Sequence, residues 1–82
     1  MNNLFSPLIR RWPTVVQFAH DVGAPERSVR EWIRNDSIPA SWFQAVVRAA
    51  SARGEEAISL ELLANLAESR RSRKEAAGRA AA

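Results

Sequence analysis

The sequence predicts an all-α fold of five short helices, and three observations carry that expectation. Apolar residues recur three and four apart through successive segments, and nowhere alternate as in a strand. Proline and glycine fall between those segments, where helices start and stop. Ala19, Gly23, Val29 and Trp32 stand at the intervals of two helices crossing through a tight turn. In that frame the first helix needs a small residue at the crossing and the turn needs one that tolerates positive φ. The second helix needs apolar residues facing back into the domain.

The elements follow in order. Ser6 and Pro7 open the first helix, Ser6 as N-cap and Pro7 at the first helical position. Leu8, Ile9 and Trp12 give its apolar face, and Arg10 and Arg11 point outward. Pro13 ends this helix and opens the next, over about 13–21, with Val15, Val16, Phe18, Ala19 and Val22 at helical spacing. Gly23 closes it as a C-cap. Pro25 opens the third helix, over about 25–35, with Glu26 in the first turn, where the helix dipole favours an acid. Val29, Trp32 and Ile33 form its buried stripe, and Arg27, Arg30, Glu31 and Arg34 fall on the other side.

Asn35, Asp36 and Ser37 form a turn cluster. Ile38 and Pro39 lead into a fourth helix over about 40–53, with Trp42, Phe43, Val46, Val47 and Ala50 inward and Gly54 as its stop. Ser59 caps a fifth over about 60–69, with Leu60, Leu62, Leu63, Leu66 and Ala67 on its inner side. Beyond Ser69 the run RRSRKEAAGRAAA has no apolar stripe, and Gly78 interrupts it. The expected organisation is a domain over 1–69, containing the paired helices at about 13–35, and a basic flexible tail over 70–82.

Composition bounds the function. Eighty-two residues make one small domain. The absence of cysteine removes disulfides, thiolate metal sites and thiol catalysis, and fits a reducing cytoplasm. No run of about 18 apolar residues offers a membrane span. The opening MNNLFSPLIRRW lacks the pattern of a secretory signal. Net charge is +3 but unevenly placed. In 70–82, five cations against Glu75 carry +4, leaving seven arginines against eight acids, or −1, in the rest. Nucleic-acid binding therefore rests on where charges sit, not on the bulk pI.

Phe18-Ala19 precedes the turn Val22-Gly23-Ala24, a helix with Val29 and Trp32 inward follows, and Asp36-Ser37-Ile38-Pro39 comes after it. This combination resembles the Cro/CI-like phage repressor family, in which a tryptophan late in the recognition helix is followed by a short turn ending in Ile-Pro. A looser likeness continues through 46–50 and 58–63, so that more than half of the chain is covered. The resemblance implies a compact five-helix, lambda-repressor-like helix–turn–helix domain. Such a domain binds double-stranded DNA, usually as a homodimer, and regulates transcription in the cytoplasm of a bacterium or phage host. It implies Glu26, Arg27 and Ser28 as base-facing residues near the start of the recognition helix, with Arg30 and Glu31 one turn later. Many members carry Gln or Ser at the first exposed positions, where this chain has Pro25, Glu26 and Arg27. Pro25 lacks an N–H for a phosphate, so a relative's operator preference does not transfer.

The residues support the same assignment independently. Arginine presents a rigid fork that matches guanine O6 and N7, or a phosphate. Arg27, Arg30 and Arg34 share one side of a helix. Arg27, near the helix start, is assigned to base reading, Arg30 to base or phosphate, and Arg34 to the DNA backbone. Glu26 either accepts from a cytosine amino group or orients Arg30 as an i,i+4 ion pair, and Arg27 with Glu31 carries the same ambiguity.

Other candidates read more plainly. Trp12, Trp32 and Trp42 are assigned to the core, Trp12 and Trp42 alternatively to a subunit interface. His20 beside Asp21 has no nucleophile or second histidine to complete a catalytic or metal set and is read as a surface or capping residue. Arg70 to Lys74 is either a nucleic-acid arm or a solubilising tail. The leucines of the fifth helix exceed one stripe, which admits a dimer contact there. Such a dimer sets two recognition helices about 34 Å apart. Glu55 and Glu56 are the candidate patch for RNA polymerase or another regulator. The rival reading is a small helical protein–protein adaptor or coactivator module. An enzyme is not expected, nor any cofactor.

Overall fold

A computed structural model describes residues 3–81, with side chains through Lys74. Among the described residues it is all-helical. The elements are α1 (Ser6–Ile9), α2 (Val15–Val22), α3 (Glu26–Asn35), a 3-10 turn (Ala40–Trp42), α4 (Phe43–Ala52) and α5 (Leu60–Ala81). Helix α2 packs on α3 and α4, α4 on α5, and α1 on α3. No described helix is long and apolar enough to cross a membrane.

The joints follow from local chemistry. Thr14, not Pro13, caps α2, its hydroxyl accepting from the Gln17 N–H at 3.0 Å. Gly23 ends α2 in the left-handed region at φ 82°, and the Ala24 N–H returns to the Ala19 carbonyl at 3.0 Å. Gly54 closes α4 the same way at φ 83°, with Glu55 N–H on the Ala50 carbonyl. Ser59 caps α5 through the Leu62 N–H.

One core joins these helices. Phe5, Ile9, Phe18, Val29, Val46 and Leu63 are its largest fully buried side chains. Trp12 meets Phe18 edge-on at 4.7 Å, and Trp32 lies against Trp42 at 5.5 Å, with Trp42 only partly buried. Phe5 stacks on Phe43.

Several sequence expectations are corrected. Ser6 is not the N-cap of α1 but lies within it, and its hydroxyl donates to the Ile33 carbonyl at 3.1 Å. The fourth helix is a 3-10 turn followed by α4, because Pro39 sets an extended backbone from which a tight turn leads into the helix. Val16 and Leu60 stand outside the core, 56% and 47% exposed, because each occupies the first turn of its helix on the solvent side. Helix α5 does not end at Ser69 but runs to Ala81, through a segment rich in Ala, Arg, Lys and Glu, the stronger helix formers. A helix of 22 residues is about 33 Å long. It accounts for the elongated 44 × 25 × 22 Å shape. Ala82, the end of the expected flexible tail, lies outside the described residues, as do the side chains beyond Lys74.

The cap of α1 comes from far along the chain. Asp36 ends α3 at φ 51°, a region that costs a non-glycine residue about 1 kcal/mol. Its carboxylate accepts from three consecutive backbone N–H groups: Leu4 at 2.7 and 2.9 Å, Phe5 at 2.8 Å and Ser6 at 3.1 Å. Backbone bonds to a charged acceptor contribute about 1.5–3 kcal/mol each, so they outweigh the strain. Burial pushes the Asp36 carboxyl up, but the bonds from Leu4, Ser6 and Phe5 outweigh it and hold the group below 3.8.

Asp36→Ala is expected to lower stability by about 2–3 kcal/mol in urea unfolding at neutral pH, with Asp36→Asn losing less, since asparagine also tolerates this φ. Because the folded-state pKa is depressed, the carboxylate's contribution is complete above 3.8 and is lost as pH falls through the folded-state value. Wild type and Asp36→Asn should therefore converge in stability on acidification. A constant gap would contradict the ionic cap.

Candidate nucleic-acid interface

The candidate surface is the outer side of α3. Val29 is fully buried and Trp32 nearly so, which fixes the rotation of the helix about its axis. Glu26, Arg27, Arg30, Glu31 and Arg34 then face solvent, with Ser28 half-buried at the margin and Ile33 partly covered. The α2–α3 geometry that sets this face is an eight-residue helix, the turn 23–25 and a ten-residue helix. Ala19 is buried at the α2 side of the crossing. Pro25 takes the N-cap position of α3 with no side-chain cap, leaving Glu26 as the acid of its first turn.

The charges on this face are not equivalent. Glu26 Oε2 accepts from Arg30 Nε at 2.8 Å and lies 2.6 Å from Arg30 Nη2, an i,i+4 pair across one turn. Of the two roles open to Glu26, this arrangement is the one that orients Arg30. It occupies one edge of the guanidinium and leaves Nη1 and the outer end of the fork turned to solvent. Arg27 and Arg34 form no ion pair or hydrogen bond with any described residue, and Arg27 is not paired with Glu31.

Two acidic features are fixed structurally. Asp21 accepts from Trp12 Nε1 at 3.1 Å and from Gln17 Nε2 at 2.7 Å, and faces His20 Nδ1 at 3.4 Å. The Gln17 bond foremost, then those of His20 and Trp12, hold its carboxyl below the usual value against the opposing effect of burial. Asp21 thus anchors a core tryptophan to α2, and His20 stays on the surface with its side chain 83% exposed. Glu55 is not a free patch residue: it binds Arg11 through Nε at 3.0 Å and Nη2 at 2.6 Å, so only Glu56 of that pair is open. Among the described residues no cluster of three His, Cys, Asp or Glu could hold a metal ion.

The residue that sequence reasoning missed is Arg70. Read as the start of a tail, it sits on α5, and its Nη2 donates to the Asn35 carbonyl at the end of α3, at 3.3 Å. The signal available in the sequence was a cation at a distance from the C-terminal end of a helix whose last carbonyls need donors. Arg71 pairs with Glu68. The chain matches no protein-family model, and no curated protein or solved structure matches it.

The two sides of α3 should separate in stability measurements. Trp32→Ala is expected to cost about 3–5 kcal/mol, whereas Arg27→Ala and Arg34→Ala should stay within about 0.5 kcal/mol of wild type. Chemical denaturation checks this. A loss above about 1 kcal/mol at either arginine would mean that it serves the fold.

Proposed function

We propose that this chain is a sequence-specific double-stranded DNA-binding transcriptional regulator of the Cro/CI type, acting as a homodimer with α3 in the major groove. The observation that carries this reading is the outward arginine face on α3: two arginines without partners and one held by Glu26, on a helix whose rotation is fixed by Val29 and Trp32. An α-helix of this size fits the major groove, and the arginine fork matches the guanine edge there. Arg27 is the base reader, Arg30 reads a base in the orientation Glu26 sets, and Arg34 meets the backbone. Exposed Leu60, with the half-buried Leu62, Leu66 and Ala67, supports α5 as the place of subunit contact.

The test is selection of duplexes from a random library by the purified protein, followed by anisotropy titration on the selected sequence. The expected result is an enriched motif with two half-sites about 10 base pairs apart. Arg27→Ala should relax one base position and weaken binding by about 5- to 150-fold, matching about 1–3 kcal/mol. Affinity unchanged by both Arg27→Ala and Arg30→Ala would remove α3 as the reading element. Enrichment of no motif would favour the adaptor reading, in which this face meets protein.

A further inference from the structure

We propose that α5 carries a second contact surface for the duplex, in which Arg70 and Lys74 extend the line begun by Arg34 and grip the sugar–phosphate backbone. The inference rests on the DNA-binding reading and adds to it the source of non-specific affinity.

Three observations carry it. First, Arg70 Nη2 reaches the carbonyl of Asn35, so its guanidinium lies at the end of α3 beside the residue that follows Arg34. One N–H of five is used in that bond, and the rest of the fork remains for an anion. Second, positions 66, 67, 70 and 74 share one face of α5 by their spacing. That face is half-buried at Leu66 and Ala67 and turns basic at Arg70 and Lys74, with Lys74 exposed. The neighbouring acid, Glu68, is occupied by Arg71. The basic face therefore leaves the body on the side where α3 ends, as a continuation of an ordered helix. Third, the charge balance requires it. The region 1–69 carries −1 and 70–82 carries +4, so the body alone supplies no net attraction for a polyanion. Affinity for duplex comes mainly from neutralised phosphates and released counterions, and α5 is where this chain holds the charge to supply it.

A plainer role for Arg70 is to satisfy the last carbonyl of α3. That role predicts a change in stability and none in salt dependence. The test uses the full chain, the double variant Arg70→Gln with Lys74→Gln, the charge-keeping double variant Arg70→Lys with Lys74→Arg, and thermal unfolding of each. Binding is measured on a selected and a scrambled duplex across a salt series. The expected result is that the glutamine variant flattens the slope of log affinity against log salt by about 1.8, about 0.9 per lost phosphate contact. Its affinity should fall by the same factor on both duplexes, and the charge-keeping variant should retain the wild-type slope. An unchanged slope in the folded glutamine variant overturns the proposal while leaving sequence reading by α3 intact. A slope that falls as expected, with equal affinity for both duplexes, supports the α5 surface and overturns sequence-specific reading. No duplex binding at any salt overturns both.

Discussion

The structure depends on one carboxylate. Helix α1 has only four residues, far too few to hold a helical turn by itself. Yet Phe5, Ile9 and Trp12, in and around it, are among the most buried residues of the protein. Asp36 resolves this by receiving the N–H groups of Leu4, Phe5 and Ser6 while it terminates α3, and Ser6 returns a bond to Ile33. Thus the segment that completes the core is fastened to the end of the helix that carries the candidate site. Glycine would relieve the left-handed backbone at position 36 but would give up the acceptor. The conformational cost is offset by three charge-assisted bonds.

The same logic organises the candidate surface. Gly23 and Ala19 bring α2 and α3 together, Val29 and Trp32 fix the rotation of α3, and Asp36 fixes its far end. A reading helix is useful only if its side chains are held in place before the ligand arrives. The Glu26–Arg30 pair adds local order, and Arg70 links the end of α3 to α5. The proposed division of labour follows from charge: a few arginines on α3 for selectivity, and the basic run on α5 for attraction.

Local rules made most of the fold legible. Gly23, Gly54 and Ser59 are helix boundaries because backbone φ and side-chain capping are decided within a few residues. The buried stripe of α3 and its outward arginines were readable from spacing alone. What stayed hidden were contacts across more than 25 residues of chain. Asp36 reads as one member of a turn cluster, since nothing nearby announces that its partners are Leu4, Phe5 and Ser6. Ser6 reads as a cap for the same reason. Val16 and Leu60 fit an apolar stripe by spacing, but first-turn positions face outward when the helix packs by its later turns. The extent of α5 was hidden because an apolar stripe marks burial, whereas Ala, Arg, Lys and Glu sustain a helix without it.

The most direct test of the account is an amide-resolved NMR titration of the whole protein with a short duplex. The account predicts the largest shift changes along the outer side of α3, at Arg27, Arg30 and Arg34, continuing to Arg70 and Lys74. Val46 and Leu63, buried away from that surface, should remain still. Changes centred instead on the loop at Glu55 and Glu56, with α3 unperturbed, would contradict it.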